Sequence, residues 1–170
     1  MSNTSNTRLK VAGFSDDSIV DGPGIRFTLF VQGCENTCEG CHNKQAKALD
    51  GGEEITIEDV LRLVAKNPLL DGITFSGGEP FLQAAALANL AKMLRTPEFS
   101  VVTYTGYTAE YLLAADNKGW RELMENTDIL IDGPFELSQK SYNVRFRGSK
   151  NQRIIDMRKT LEEGRAVVIE

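Results

Sequence analysis

Residues 26–41 read RFTLFVQGCENTCEGC, and this stretch decides how the rest of the chain is interpreted. Its first part, Arg26–Gln32, is rich in aromatic and β-branched residues and ends at Gly33, which predicts a β-strand. The part that follows holds all three cysteines of the chain in a C-x3-C-x2-C spacing. We therefore expect a strand that delivers a cluster of thiols at its carboxyl end.

Segments of strand and helix length alternate along the rest of the chain. Thr56 and Asp59 resemble a capping box, and the apolar residues after Thr56 recur with the period of an amphipathic helix. Further helices are predicted at 81–94 and 107–125, the latter with a break near Gly119. The later strands are predicted at 73–76, 101–105, 128–131, near 154–155 and at 166–169. Strands that alternate with helices predict an α/β fold, a mostly parallel sheet with crossover helices.

The length of the chain limits its architecture, and its composition limits its function. The 170 residues suit one domain, predicted over 8–170 after a frayed tail at 1–7. They are too few for a closed eightfold β/α barrel, which needs roughly 200 residues or more. The net charge of −5 argues against a nucleic-acid partner. The sequence has neither a signal peptide nor a long apolar run, so we expect a cytoplasmic protein without membrane contact.

Each of the first four predicted strands is followed by a polar or glycine-rich cluster. The cysteines follow the first strand, Gly77–Pro80 (GGEP) the second, Tyr104–Tyr107 the third and Asp132–Pro134 the fourth. Because the carboxyl ends of parallel strands meet at one edge of a sheet, we expect these clusters to form one site. Glycines there allow a ligand to approach the backbone, and Glu79 suits a cationic group such as an α-ammonium.

The three cysteines allow three interpretations. The first is a set of buried structural residues, since their odd number excludes a complete disulfide framework. The second is a zinc site, which normally has four ligands; the only histidine, His42, is adjacent to Cys41 and poorly placed to be the fourth. The third is a cubane iron–sulfur cluster on three thiolates, which leaves one iron without a protein ligand. An open coordination position is a catalytic feature, and we favour this interpretation.

The cysteine motif, with GGEP after the next strand, resembles the radical S-adenosylmethionine (SAM) enzymes. Asp21–Arg26 (DGPGIR) and Gly33–Asn43 are similar to the activases of glycyl radical enzymes. Together with the short chain, Ile131–Phe135 and Gly148–Arg153 most resemble the activating proteins of anaerobic (class III) ribonucleotide reductases. The resemblance runs from about Phe14 to Val168. It implies an incomplete, open (β/α)6 barrel of the radical SAM type.

The resemblance implies two cofactors, a [4Fe–4S] cluster and SAM, which carry the chemistry in place of a catalytic side chain. The implied cluster ligands are Cys34, Cys38 and Cys41. Reductive cleavage of SAM gives methionine and a 5′-deoxyadenosyl radical, which removes a hydrogen from a glycine of the partner. The GGEP residues match the family motif that positions the methionine ammonium, and two strand-end residues suit the ribose or adenine. The expected SAM-binding residues are Gly40, Cys41, His42, Gly77, Gly78, Glu79, Tyr104, Thr105 and Asp132.

The implied partners are a large glycyl radical enzyme, the anaerobic ribonucleotide reductase, and a low-potential electron donor such as flavodoxin. Segment 140–165 holds eight basic and three acidic residues, which suits either an acidic donor or anionic ligand, or a solvated loop. Within it, Asn151–Arg153 are candidates for contact with the SAM carboxylate or the partner. Two alternatives stay open: an activase of another glycyl radical enzyme, and a zinc- or iron–sulfur-binding module without enzymatic activity.

Overall fold

The computed structural model describes residues 7–170, which form a mixed α/β fold. Its strands are β1 (Arg8–Ser18), β2 (Arg26–Val31), β3 (Glu53–Thr56), β4 (Gly72–Gly77), β5 (Ser100–Tyr104), β6 (Ile129–Asp132) and β7 (Arg153–Asp156). Its helices are α1 (Ile57–Ala65), α2 (Ala84–Leu94), α3 (Ala109–Ala114), α4 (Lys118–Glu125) and α5 (Met157–Glu163). None of these helices is long and apolar enough to cross a membrane.

The strands pair in one seven-stranded sheet, in the order β3-β1-β2-β4-β5-β6-β7. Strands β2, β4, β5 and β6 are parallel, and α1, α2 and the α3–α4 pair lie in the crossovers between them. At one edge β1 runs antiparallel to β2 and to β3 on its two sides, and at the other edge β7 runs antiparallel to β6. The expected α/β sheet with crossover helices is confirmed. Four strands are parallel rather than six, because the β1–β2 and β6–β7 connections contain no crossover α-helix.

The sequence pattern did not predict three of these elements, namely β1, β3 and α5. In β1, buried Leu9 and Val11 alternate with exposed Arg8 and Lys10, which is the period of a strand with one buried face. The last strand expected at 166–169 is only an isolated bridge between residues 155 and 168. Residues 1–6 of the expected tail lie outside the described residues, and the carbonyl of residue 7 accepts a hydrogen bond from the amide of residue 57 at 3.0 Å.

Two helix starts follow the sequence pattern. Thr56 Oγ1 accepts a hydrogen bond from Asp59 N at 3.1 Å, and Asp59 Oδ2 accepts one from Thr56 N at 3.1 Å, which completes the capping box of α1. The helix expected over 107–125 is divided into α3 and α4, as its predicted break requires. Asn117 begins α4 by accepting a hydrogen bond from Trp120 N at 3.0 Å.

The two faces of the sheet are covered differently. Residues such as Phe27 and Leu29 are fully buried and pack with the helices in the main hydrophobic core. On the opposite face, alternate strand residues such as Val102 and Ile131 form a smaller cluster. Phe146, from the loop between β6 and β7, packs against this smaller cluster. Because a loop rather than a helix covers this face, the sheet can border an open cavity there.

Arg26, the first residue of β2, is fully buried and has no carboxylate in hydrogen-bond contact among the described residues. Burial lowers the pKa of its guanidinium to about 10, so the group remains charged at neutral pH. Its donors reach Thr74 Oγ1 (3.1 Å), Ser100 Oγ (2.7 Å) and the carbonyl oxygens of Pro23 (3.2 Å), Ile73 (2.7 Å) and Ser100 (2.9 Å). The side chain therefore joins the turn before β2 to the amino ends of three parallel strands.

Arg26→Met is expected to lower the free energy of unfolding by at least about 3 kcal/mol, because each buried acceptor that it leaves unsatisfied costs ~1–3 kcal/mol. Urea-induced unfolding measures this change. Arg62→Met is the control, since Arg62 is exposed in its pair with Glu58 (2.7 Å), and we expect a loss below about 1 kcal/mol there. Similar small losses in both variants would contradict the role assigned to Arg26.

Candidate cofactor site

A cavity of about 700 Å³ opens at the carboxyl ends of the parallel strands. It is lined from the loops after β2, β4, β5 and β6, and by much of segment 140–148. All three cysteines line it, together with Gly77–Glu79, Tyr104 and Thr105. Of the fourth cluster, Asp132–Pro134, only Gly133 lines the cavity. The clusters that follow the four strands therefore meet around one cavity, whose size suits a small-molecule cofactor.

The cysteines lie on a loop that backbone hydrogen bonds close at its base. Gly33 N donates to Ala46 O at 2.7 Å, and Cys34 N donates to Lys47 O at 3.1 Å. All three thiols are free and half-buried. Burial raises the pKa of the Cys34 thiol. The closed base holds the thiols beside the cavity without a disulfide.

The three free thiols that line the cavity are the available donor set for a metal centre. Within residues 7–170, no three His, Cys, Asp or Glu side chains converge closely enough to hold one metal ion. A structural zinc ion needs four ligands around one atom, whereas a cubane cluster places each thiolate on a different iron. The donor set therefore fits a [4Fe–4S] cluster on three thiolates, and the zinc alternative is not favoured.

Gly77 and Gly78 bring the GGEP loop into direct contact with the cysteine loop. Gly78 N donates to Val31 O at 2.7 Å, and Glu79 N donates to Gly33 O at 2.8 Å. A Cβ atom on Gly78 would overlap the Gly33 carbonyl oxygen, and one on Gly77 would overlap the Val31 backbone. Gly77 also has a φ of +95°, which other residues rarely adopt. Glycine is required at both positions because the two backbones touch.

Glu79 is a carboxylate, only 2% exposed, that joins three loops. Burial raises its pKa to about 7, although four hydrogen-bond donors act in the opposite direction. These donors are the backbone amides of Phe81 (3.1 Å) and Gly106 (2.8 Å), the Thr105 hydroxyl (2.8 Å) and the Asn36 side-chain amide (3.4 Å). The carboxylate is therefore fully engaged with the chain, and it holds the loops after β2, β4 and β5 together.

Tyr104 and Thr105 line the cavity, but their hydroxyl groups are used within the chain. Thr105 Oγ1 donates to Glu79, and Tyr104 Oη donates to the carbonyl oxygen of Phe146. Burial also raises the pKa of Tyr104, which keeps its hydroxyl protonated. The Tyr104 ring and the backbone of Thr105 therefore remain available to contact a ligand.

Gly40 and His42 lie at the far end of the cysteine loop. His42 is exposed and lines the cavity, and its ring centre lies 5.0 Å from that of Phe135. Gly40 does not line the cavity; its φ is +72°, and a Cβ atom there would lie 3.0 Å from Leu137. The structure therefore gives Gly40 a role in shaping the loop, and its expected contact with SAM stays a prediction.

Asp132 does not line the cavity, and its expected contact with SAM stays a prediction. Its buried carboxylate accepts hydrogen bonds from Ala109 N (2.7 Å) and from Arg153 Nε (3.0 Å) and Nη2 (2.5 Å). Arg153 also pairs with Glu110 at 2.7 Å. The ion pair joins β6, β7 and α3 and occupies both Asp132 and Arg153. Of the 151–153 candidates, only Gln152 lines the cavity.

Several features of the site were missed from the sequence. The Asn36 side chain lies over Gly106, where a Cβ atom would overlap its amide group. Asp21 lines the cavity, and its Oδ2 atom accepts hydrogen bonds from two neighbouring hydroxyl groups. Segment 140–148 forms part of the cavity wall. The only signal for Asn36 is its place between two cysteines, because its hydrogen-bond partner Glu79 lies 43 residues further along the chain.

Comparison with known proteins identifies first the class and then the family. The chain matches the 4Fe-4S single cluster domain over residues 20–155. It is 35% identical over 142 residues to the anaerobic ribonucleoside-triphosphate reductase-activating protein of Vibrio cholerae, which covers 79% of this chain and 89% of the relative. Proteins of the same name from Haemophilus influenzae and Enterobacteria phage T4 are each 32% identical over 79% of this chain, and over 89% and 86% of their own lengths. The chain belongs to the family of anaerobic ribonucleoside-triphosphate reductase-activating proteins.

Among solved structures, the crystal structure of QueE from Escherichia coli aligns with a TM-score of 0.49 and 16% sequence identity. The alignment covers 62% of this chain and 56% of that chain.

Gly78→Ala is expected to lower the free energy of unfolding by about 1–3 kcal/mol, because the added methyl group must displace the Gly33 carbonyl. Urea-induced unfolding measures the change. Gly13→Ala is a matched control, since a Cβ atom there meets nothing within 4 Å, and we expect a change within about 0.5 kcal/mol. Equal effects at the two positions would contradict the close backbone approach.

The raised pKa of Glu79 predicts a pH-dependent contribution to stability. Its folded pKa of about 7 lies above its ordinary value of 4.5, so the folded state retains the proton between these values. The contribution is full below about pH 4.5 and is lost as the pH rises through about 7. Glu79→Gln removes this dependence. The free energy of unfolding of the wild type minus that of the variant should therefore fall from about pH 5 to about pH 8. A constant or rising difference in urea titrations would contradict the dominance of burial.

Proposed function

We propose that this chain is a radical SAM enzyme that generates a glycyl radical on an anaerobic ribonucleoside-triphosphate reductase. The family to which it belongs is named for the activation of that reductase. One observation carries the proposal, which is that three free cysteines and the GGEP loop line the same cavity. A cluster on three thiolates has an iron open to SAM, whereas an electron carrier needs neither an open iron nor a ligand cavity.

Cys34, Cys38 and Cys41 are the proposed cluster ligands. When bound, the cluster and SAM supply the one-electron cleavage of a carbon–sulfur bond and the carbon-centred radical that takes a hydrogen atom from the partner's glycine. The chain holds the three thiols on one loop with a closed base. Apolar side chains such as Phe135 and Phe146 line the cavity and limit the access of water to it.

The remaining cavity residues are proposed to bind and orient SAM. The bare backbone at Gly77 and Gly78 leaves room for its methionine part beside the cysteine loop, and Glu79 holds together the loops that would surround the α-ammonium group. The Tyr104 ring and the Thr105 backbone are placed to contact the adenosine part. His42, packed on an aromatic ring, orders the end of the loop next to the third cluster ligand.

The sheet suits a substrate that is itself a protein. We infer that residues 8–170 form a single radical SAM domain whose sheet curves as an incomplete barrel. Within the described residues, the sheet ends at β3 on one side and β7 on the other, and these strands do not pair with each other. A glycine inside a large folded partner cannot enter a closed barrel, whereas an open side gives it access.

The proposed electron source is a low-potential flavoprotein such as flavodoxin, which would meet the basic segment 140–165. Arg145 and Arg147 in this segment pair with Glu170 at 2.5 and 3.4 Å, which neutralises part of its charge. Among the described residues, the basic side chains of the segment that form no ion pair are Lys140, Lys150 and Arg158, and the docking charge falls on these. A reducing compartment such as the cytoplasm would keep the three thiols free for the cluster.

Anaerobic reconstitution with iron and sulfide, followed by reduction and addition of SAM, is expected to yield 5′-deoxyadenosine, measured by liquid chromatography. Cys34→Ala, Cys38→Ala and Cys41→Ala should each reduce the yield to background, because each removes a ligand of one iron. Thr37→Ala is the matched control, exposed in the same loop, and should retain activity within about twofold. After addition of the reductase, electron paramagnetic resonance should show a glycyl doublet. A wild-type protein with an intact cluster that forms no 5′-deoxyadenosine would contradict the proposal.

A further inference from the structure

Three large apolar side chains stand exposed around the mouth of the cavity. They are Ile19 and Val20 from the β1–β2 connection and Tyr142 from the β6–β7 connection, and they are 71%, 68% and 87% exposed. The other exposed large apolar side chains of residues 7–170 line no part of this cavity. We call these three residues the apolar rim. Exposed apolar residues gathered at a cavity mouth mark an interaction surface.

The first side of the apolar rim is held in place from beneath. Asp21 Oδ2 accepts hydrogen bonds from Ser18 Oγ at 2.5 Å and from Thr28 Oγ1 at 3.1 Å. The Asp21 carbonyl accepts one from Thr74 Oγ1 at 2.8 Å. These bonds fix the turn that carries Ile19 and Val20 onto the sheet. Both side chains are therefore presented to solvent by an ordered backbone.

The second side of the apolar rim is held as well. The segment that carries Tyr142 is closed by an antiparallel bridge between Lys140 and Ser149. Further along it, the Phe146 carbonyl accepts the Tyr104 hydroxyl hydrogen bond, and Phe146 has a φ of 62°. A bulky residue persists in this strained left-handed conformation only where its surroundings fix it. Surfaces that are ordered before binding lose less entropy when a partner docks.

The charges around the mouth favour an apolar occupant over an acidic one. Arg145 and Arg147 are already paired with Glu170, and the Lys140 ammonium lies 5.1 Å from the centre of the Tyr142 ring. Of the four Lys and Arg side chains that line the cavity, only Lys47 is therefore left without a carboxylate or ring partner among the described residues. What the mouth offers is the apolar surface of the three rim side chains.

An extended chain segment is the shape that can use both sides of the rim. Successive side chains of an extended segment point in opposite directions, so its two flanks can contact Ile19–Val20 and Tyr142. A glycine between those flanks has no side chain to hold it out of the cavity, and its Cα atom can approach most closely.

We propose that the apolar rim docks an extended, glycine-containing segment of the glycyl radical partner, with apolar residues on both sides of that glycine. This inference rests on the proposed function and adds the surface that recognises the partner. The rim then contributes to affinity for the reductase and places the glycine over the cavity.

The test compares variants of the rim in their affinity for the purified anaerobic ribonucleoside-triphosphate reductase, measured anaerobically by isothermal titration calorimetry. In the combined variant Ile19→Ser, Val20→Ser and Tyr142→Ser, we expect the Kd to rise at least about tenfold. Leu69→Ser is the matched control, because Leu69 is 71% exposed but lies away from the cavity. Tyr142→Phe keeps the ring and should bind as the wild type does. A synthetic peptide that spans the reductase's radical glycine should compete for the wild-type protein.

Each outcome decides between the possible occupants. An unchanged Kd in the triple variant, or the same loss in Leu69→Ser, would overturn the docking proposal. Sedimentation velocity compares the self-association of the wild type and the triple variant. If the wild type self-associates and the triple variant does not, the rim holds a second copy of the chain, and the docking proposal is overturned. The proposed function is judged separately, by formation of 5′-deoxyadenosine and the glycyl doublet in the wild type. If the wild type forms the doublet and the rim variants bind the reductase normally, the docking proposal is refuted and the proposed function stands.

Discussion

One buried carboxylate determines the shape of the site. Glu79 loses its hydration on burial, and donors from the chain replace the lost hydrogen bonds. Because these donors come from the loops after three neighbouring strands, the carboxylate holds those three loops together at one edge of the sheet. The glycines around it follow from this arrangement. Gly78 and Gly106 lack side chains because other loops pack directly against their backbones.

The centre of the sheet and the position of the site could be predicted from the sequence, but the edges of the sheet could not. The parallel strands are short apolar segments bounded by turns, and the cysteine and GGEP motifs are local patterns that need no tertiary information. Strand β3 reads EEIT, and its two exposed glutamates hide the apolar pattern by which a strand is recognised. Strand β1 ends in polar residues beyond a register shift, so its alternation is visible only in its first half.

Side-chain direction decides which of the predicted residues line the cavity. A motif places a residue at the end of a strand, but a step of one residue turns its side chain to the other face of the sheet. Asp132 and Tyr104 both end strands at the same edge, yet only Tyr104 lines the cavity. Asp132 instead meets Arg153, which lies 21 residues away across an irregular loop. No local pattern encodes that contact, because it depends on how the loop returns β7 to the sheet.

The closed base of the cysteine loop also bears on how the protein is made. Two backbone hydrogen bonds, at Gly33 and Cys34, end the loop where it leaves the sheet, and the main core is built from other residues. Small metal-dependent domains fold only when their ion binds, because the ion supplies most of their stability. The three cysteines lie outside the main core, so the packing of that core needs no bound metal. The exposed residues Glu35, Thr37 and Glu39 leave this loop accessible from solvent once the rest of the chain has folded.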